Sequence, residues 1–168
     1  MDEQIVILDR GNAELAIPKG WSVRVHPEGH MVMVDPRDDA RLEASYMPLP
    51  AVEGLPPVEE RLRWAFASDP NAREHEPILT IERGPLRIAY SAFDYESDDS
   101  ERAERRPAIG RWAVGANRVF QVLITYYHWR DDEAWAHPVF DRVLETLQLG
   151  DGSQLARPED HWSLREPD

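Results

Sequence analysis

The stretch of residues 108–149, AIGRWAVGANRVFQVLITYYHWRDDEAWAHPVFDRVLETLQL, decides the fold class of this 168-residue chain. Apolar residues that alternate over 108–114 predict one strand, and Gly-Ala-Asn at 115–117 suits the tight connection of a hairpin. A second strand is predicted over 118–129, followed by a helix that ends near Leu149. This order of elements indicates an antiparallel sheet with a helix packed on it.

The second strand and the helix carry apolar residues in patterns that place both against a core. Strand 118–129 is apolar on its two faces, which is typical of a central strand. We expect Asp131 or Asp132 to cap the helix, and Pro138 to lie close enough to the first turn to be tolerated. The helix has one apolar stripe, formed by Trp135, Val139, Val143 and Leu147 and widened by Phe140 and Leu144.

The rest of the chain supplies further strands and a second helix. Apolar runs between turn residues predict strands over 4–9, 14–18, 22–26, 31–35, 42–47, 78–83 and 86–95. A helix is expected to begin at Pro57, where a missing N–H costs nothing, and to stop before Pro70. The acidic segment 94–106 is interpreted as a solvated hairpin tip or a mobile loop. The sequence therefore predicts an α+β fold, with an antiparallel meander sheet of about eight or nine strands and two packed helices.

Length and composition limit the remaining possibilities. The simplest domain organisation is a single domain over residues 1–150 with a polar C-terminal tail over 151–168. The chain contains no cysteine, which excludes thiol catalysis, zinc–thiolate sites and disulfides. The N-terminus is acidic and no apolar run reaches the length of a membrane span, so a cytoplasmic protein that does not bind membranes is expected.

The charge balance bears on the kind of partner. The chain has 19 basic and 32 acidic residues, a net charge of -13, whereas binding to nucleic acid requires concentrated positive charge. Nucleic acid is therefore not an expected partner. The acidity either serves solubility alone or favours another protein that is basic.

Two groups of side chains, one near the last helix and one in the acidic segment, are candidates for metal sites. His128, Asp131, Asp132 and His137 are close in sequence, but their spacing matches no metal motif, and we interpret them as a strand end, a cap and a first-turn histidine. The carboxylates of the acidic segment lack the glycine of a calcium loop; they are Asp94, Glu96, Asp98 and Asp99.

Two other histidines and the hydroxyl groups suggest no chemistry either. His26 and His30 flank the turn Pro27-Glu28-Gly29 and are interpreted as turn residues. No serine–histidine–aspartate arrangement and no glycine-rich phosphate loop can be assembled. The sequence therefore predicts no catalytic residue, no metal and no cofactor, and favours a protein that is not an enzyme.

The aromatic residues are the strongest candidates for a binding site. Six tryptophans exceed the usual share for this length, and two helices cannot easily cover a sheet whose last strand is apolar on both faces. Tryptophan and tyrosine are enriched at protein interfaces, although they also fill cores. The candidate binding residues all come from the stretch quoted above: Trp112, Tyr126, Tyr127, Trp129 and Trp135.

Three features of the chain resemble the PsbP-like fold family. They are the opening LAIPKGW over residues 15–21, the helix after Pro57, and the ending FDRVLETLQL over residues 140–149. The resemblance covers residues 4–149. This family includes the Ran-binding Mog protein and bacterial chaperones of secretion-system effectors, so the resemblance implies a binding or accessory role and assigns no catalytic residue.

Three hypotheses about function follow. The first is a non-catalytic protein-binding module, such as an adaptor, a chaperone or an immunity-type partner, and it requires at least one of Trp112, Tyr126 or Trp129 in an exposed aromatic patch. The second is a small enzyme or ligand-binding domain with a site near His128 and Asp131, and it requires these two side chains to converge on a pocket. The third is a homo-oligomer that associates through the same sheet face.

Overall fold

A computed structural model describes residues 2–153 of the chain. Two helices, α1 (Val58–Ala67) and α2 (Glu133–Thr146), accompany ten strands. The strands are β1 (Glu3–Leu8), β2 (Ala13–Pro18), β3 (Ser22–Val25), β4 (Met31–Val34), β5 (Ala40–Pro48), β6 (Leu79–Arg83), β7 (Leu86–Asp99), β8 (Glu104–Ala116), β9 (Phe120–Trp129) and β10 (Gln148–Leu149).

The strands form two antiparallel sheets, which confirms the α+β class. Seven strands pair in the order β3-β4-β5-β9-β8-β7-β6, and the other three pair as β1-β2-β10. The predicted meander is therefore interrupted, because β9 returns to pair with β5 and the N-terminal hairpin leaves the large sheet. The predicted tail over 151–168 lies outside the described residues except for its first three.

Each face of the large sheet is covered by a different element. Helix α2 and strands β1 and β2 pack on one face, where Ile124 and Tyr126 of β9 are fully buried. Helix α1 packs on the other face, over Phe93 of β7 and Trp112 of β8. We call these the α2 face and the α1 face. Strand β9 contributes alternate residues to both, as its two apolar sides predict.

Helix α1 agrees with the sequence prediction. It begins directly after Pro57 and ends before Pro70, and its buried residues are Val58, Leu62 and Phe66. These three positions lie on one side of a helix because successive side chains rotate by about 100°. Trp64 lies on the opposite side with 57 % of its surface exposed.

The start of helix α2 differs from the prediction in two respects. Asp132 occupies the N-cap position, but its carboxylate accepts a hydrogen bond from the indole Nε1 of Trp135 (2.8 Å) and caps no backbone N–H. Pro138 is the sixth residue of the helix, beyond the first turn, and it is exposed to solvent. Its ring therefore removes one helical hydrogen bond at a surface where water can solvate the freed carbonyl.

The acidic segment 94–106 forms the tip of the hairpin between β7 and β8, which confirms one of its two interpretations and corrects the other, a mobile loop. Strand β7 continues to Asp99, β8 begins at Glu104, and only residues 100–103 form the turn. The turn is held by Asp99, whose carboxylate accepts hydrogen bonds from the backbone N–H groups of Glu101 and Arg102 at 3.1 and 3.2 Å. Cross-strand ion pairs between the acidic residues and arginines of β8 offset the repulsion that suggested disorder.

Candidate functional site

Two of the five candidate aromatic residues belong to the core. Tyr126 is fully buried under α2, where its ring stacks on Phe140 with 6.0 Å between centroids. Trp112 is buried under α1, 5.4 Å from Phe66, and its Nε1 donates a hydrogen bond to the hydroxyl of Tyr127 at 3.0 Å. The structure corrects the prediction for Tyr126 and Trp112, because the helices cover the positions at which these side chains leave the sheet.

A third candidate, Trp135, is partly buried at the start of α2. Its indole contacts Asp132, and the guanidinium of Arg37 lies 4.8 Å from the centre of its ring. These neighbours place Trp135 beside the edge of the α2 face, apart from the other exposed rings. It is therefore not part of a shared aromatic patch with Tyr127 and Trp129.

Tyr127 and Trp129 are partly exposed and line a cleft on the α1 face, beyond the end of α1. This cleft, which we call the aromatic cleft, has a volume of about 260 Å³. Its floor consists of Tyr95, Ala108, Tyr127 and Trp129, and its rim consists of Asp38, Asp39, Ala40, Arg41, Ser97, Asp98 and His128.

Strand register explains the concave shape of the aromatic cleft. Ala108 of β8 lies directly opposite Tyr95 of β7 and Trp129 of β9. A methyl group between two large rings on neighbouring strands leaves a hollow in the sheet surface. Ala108 therefore defines the cleft as much as the aromatic residues do. Its role cannot be recognised from the sequence, because it depends on how the strands align.

The aromatic residues of the cleft are neutral phenols and indoles. Burial, together with the charge of Asp69, raises the pKa of Tyr95 to about 12, so this hydroxyl keeps its proton at neutral pH. Burial also raises the pKa of Tyr127. The guanidinium of Arg106 lies 4.7 Å from the ring centre of Trp129 and is itself paired with Asp99 (3.6 Å). A cation already occupies one face of this indole, as expected for a ring that attracts positive charge.

The rim of the aromatic cleft is acidic. Three carboxylates contribute to it, from Asp38, Asp39 and Asp98. Most of the rim charges have partners outside the cleft: Asp39 lies 3.5 Å from Arg37, Asp98 lies 3.8 Å from Arg105, and the one basic rim residue, Arg41, donates from Nε to Oε1 of Glu43 at 2.5 Å. The cleft therefore combines aromatic rings with a net negative charge, which is an arrangement that favours cationic groups.

The structure does not bring His128 and Asp131 together. His128 is 2 % exposed, and its Nε2 lies 3.3 Å from a carboxylate oxygen of Glu133. Asp131 is exposed and pairs with Arg106 at 3.4 Å, beside Trp129. No described pocket contains both side chains. The hypothesis of a site near these two residues thus loses the geometry it required.

The structure instead places His128 in a polar cluster that sequence reasoning missed, in which His128 and Arg111 are buried and Glu133 is partly exposed. Glu133 contacts His128, the guanidinium of Arg111 and, at 3.4 Å, His137. Burial lowers the pKa of His128, against the opposing effects of its hydrogen bond to the Trp129 carbonyl and of the Glu133 carboxylate. Arg111 could have indicated this cluster from the sequence, because a charged residue within a buried strand requires a partner.

The four carboxylates of the acidic segment do not form a calcium site. Asp94 pairs with Arg130 at 2.6 Å, and Glu96 and Asp98 lie 4.0 and 3.8 Å from the same guanidinium, that of Arg105. Asp99 leaves the strand on the opposite face and holds the turn. Among the described residues, no three of these carboxylates bring their oxygens within reach of one ion.

Comparison with known proteins places the chain in a family. A family model described as Alr1449 matches residues 4–152. The chain belongs to the Alr1449 family. A relative in this family, the uncharacterized protein alr1449 of Nostoc sp. (strain PCC 7120 / SAG 25.82 / UTEX 2576), is 28 % identical over 151 residues, which are 88 % of this chain and 77 % of that protein.

Solved structures confirm that this member of the Alr1449 family has a PsbP-like fold. The cyanobacterial PsbP protein CyanoP from Synechocystis sp. PCC 6803 is similar with a TM-score of 0.61 and 16 % identity, over 88 % of this chain and 92 % of that chain. The Ran-binding protein Mog1p of Saccharomyces cerevisiae is similar with a TM-score of 0.55 and 13 % identity, over 89 % of this chain and 96 % of that chain.

Neither helix within residues 2–153 is long and apolar enough to cross a membrane.

Proposed function

We propose that this chain is a non-catalytic protein-binding module whose aromatic cleft receives a basic segment of another protein. The observation that carries the proposal is the combination, in one open hollow, of the aromatic floor with three rim carboxylates. The fold shared with Mog1p, a protein whose name describes it as Ran-binding, is compatible with a binding role. An adaptor, chaperone or immunity-type protein would each use such a site.

The chemistry of the aromatic cleft suits arginine and lysine side chains. A cation over Trp129 or Tyr127 gains about 0.5–2 kcal/mol from the ring, depending on how fully it is desolvated. The carboxylates of Asp38 and Asp98 add charge-assisted hydrogen bonds of the kind that guanidinium groups form. Arg106 already demonstrates the first of these contacts within the chain.

The charge of the whole chain supports the same assignment. A net charge of -13 attracts a basic partner over distances comparable to the screening length, which increases the rate of association at low ionic strength. The floor supplies the uncharged contact area that holds the partner once it has arrived. Partners that are neutral or acidic lack the long-range charge attraction and therefore bind more weakly.

A peptide-binding experiment tests the proposal. The probe is a fluorescently labelled decapeptide that contains four arginines, compared with the same peptide carrying glutamate at those positions, and the readout is fluorescence anisotropy. We expect the arginine peptide alone to bind, and Trp129→Ala to weaken its binding at least tenfold, as is common for tryptophan anchors in interfaces. The matched control is Trp64→Ala, since Trp64 is exposed on α1 and lies outside the aromatic cleft.

The same experiment distinguishes the proposal from nonspecific charge attraction. Asp38→Asn with Asp98→Asn removes two rim charges, whereas Glu53→Gln with Glu74→Gln removes two charges at exposed positions elsewhere on the surface. Equal binding by these two double variants, or equal binding by Trp129→Ala and Trp64→Ala, would refute the assignment of the cleft. Solution mass, measured in parallel, tests whether the chain instead associates with itself.

A further inference from the structure

The turn between β3 and β4 places two histidines and one glutamate side by side. One donor atom from each of His26, Glu28 and His30 lies within 4.8 Å of the other two. The backbone fixes this arrangement, because the N–H of His26 donates to the carbonyl of His30 and the N–H of Gly29 donates to that of His26, both at 2.8 Å. Gly29 has a φ of +95°, a conformation that favours glycine, so the tight turn depends on this residue.

Each imidazole carries one unprotonated nitrogen in its neutral form. Nδ1 of His26 accepts a hydrogen bond from the N–H of Glu28 at 3.2 Å and lies 3.8 Å from the Glu28 carboxylate, so its lone pair becomes a metal ligand when that hydrogen bond opens. Nε2 of His30 lies 3.2 Å from Oε2 of Glu43. A proton on Nε2, the nitrogen near this carboxylate, leaves the lone pair of His30 on Nδ1.

Glu43 holds His30 in the manner found around metal-bound histidines. Its Oε1 accepts a hydrogen bond from Nε of Arg41 at 2.5 Å, while Oε2 faces the imidazole. Histidines that bind metals usually donate the other ring N–H to a carboxylate or carbonyl, which fixes the tautomer and makes the ligand nitrogen more basic. The contacts from Arg41 to Glu43 and from Glu43 to His30 have this form, and Arg41 and Glu43 lie on β5, outside the turn.

We propose that His26, Glu28 and His30 bind one divalent transition-metal ion of the zinc class, and that Glu43 is a positioning residue for His30. Zinc bonds of about 2.1 Å place tetrahedral ligand atoms about 3.4 Å apart, so donor atoms that lie within 4.8 Å of one another must approach by up to roughly 1.4 Å. The two imidazoles are stacked, with 4.3 Å between ring centres and 20° between ring planes, so one ring must also rotate before both lone pairs meet at one ion. The side chains of Glu28 and His26 are 81 % and 35 % exposed, so both have room to move.

The donor set also limits the identity of the ion. Two imidazoles and one carboxylate suit zinc and its neighbours, whereas calcium and magnesium prefer oxygen ligands only. Three protein ligands leave at least one coordination position for water or for a group of a partner. The proposal does not rest on the aromatic cleft, although Arg41 lines that cleft and connects it to Glu43.

Zinc titration of the full chain tests the site. The protein is stripped with a chelator and titrated by calorimetry at pH 7.5, and we expect one zinc ion per chain. His26→Gln with His30→Gln should weaken binding at least tenfold, as should Glu28→Gln alone. The matched control is His75→Gln with His137→Gln, which removes the same number of imidazoles and should leave zinc binding unchanged. His137 suits this control because it also lies near two carboxylates, at 3.4 and 3.5 Å.

Cobalt absorption separates ligation from positioning. Glu43→Gln should weaken zinc binding about 10–100-fold, the range seen when such supporting groups are removed, while the visible spectrum of the Co²⁺ form keeps its band positions. A changed spectrum would make Glu43 a ligand and overturn its positioning role. Equal zinc binding by wild type and the His26/His30 variant, with circular dichroism showing both folded, would overturn the site.

Discussion

Replacing Gly110 by alanine tests how tightly the α1 face is packed beside the aromatic cleft. Gly110 lies on β8 opposite Phe93 of β7 and Tyr127 of β9. A Cβ atom at this position would lie 2.3 Å from Cζ of Phe93 and less than 3.0 Å from both of its Cε atoms. The ring of Phe93 occupies the space that a side chain at position 110 would need.

The expected loss of stability follows from how firmly Phe93 is held. Its ring is 2 % exposed and lies within 6.5 Å of four other aromatic rings, those of Phe66, Tyr95, Trp112 and Tyr127. Overpacking of such a site costs about 1–3 kcal/mol, whereas glycine-to-alanine in an unhindered strand gains about 0.5–1 kcal/mol. We expect the clash to prevail, with a net loss of about 1 kcal/mol and a fall in Tm of roughly 2–4 °C.

Urea denaturation followed by circular dichroism measures this effect, and two variants serve as controls. At Gly115 of the same strand an added Cβ would meet Cδ2 of Leu147 at 2.8 Å, the end of a flexible side chain, so Gly115→Ala should cost less. Phe93→Leu should reduce the penalty of Gly110→Ala, because it removes part of the ring. A Gly110→Ala protein as stable as wild type, or an undiminished penalty in the Phe93→Leu background, would refute this explanation.

Two further predictions concern a hairpin turn and a buried histidine. Asn117 accepts hydrogen bonds from the N–H groups of Val119 (2.8 Å) and Phe120 (2.7 Å) and donates to the carbonyl of Gly150 (2.8 Å), so Asn117→Ala should lower the free energy of unfolding by about 2 kcal/mol. Asn117→Asp keeps the acceptor and should cost less; equal losses in urea denaturation would contradict this. Because burial lowers the pKa of His128 below 6.5, the unfolded chain binds the proton more readily, and stability should fall as pH decreases below about 6.5. His128→Gln should flatten that decrease between pH 7.5 and 5.5, and an unchanged pH dependence would show that other groups cause it.

Local patterns predicted much of the fold because they depend on residues close in sequence. The positions of Val58, Leu62 and Phe66 define the buried side of α1, and the structure agrees with them. The same kind of pattern predicted the central position of β9, which lies between β5 and β8. The charges of the segment 94–106 hid how far β7 and β8 extend through it, because they looked unfavourable for strands until the register placed arginines beside the carboxylates.

The candidate site was predicted only in part. Tyr127 and Trp129 line the aromatic cleft, whereas Trp112 and Tyr126 belong to the core, although all four come from the same stretch. Sequence identifies the rings and even their alternation on a strand. It does not show where α1 ends on the sheet surface, and that end separates Trp112, which is covered, from Tyr127, which is partly open.

The sequence by itself determined the class of fold, the two helices, the acidic charge and the absence of thiol chemistry, since these follow from composition and from local periodicity. Only the tertiary structure decided that the N-terminal hairpin forms a second sheet, that Ala108 opens a hollow between Tyr95 and Trp129, and that Glu43 reaches His30. The physical reason is that these contacts join different strands, so they depend on strand order and register, which sequence spacing does not fix.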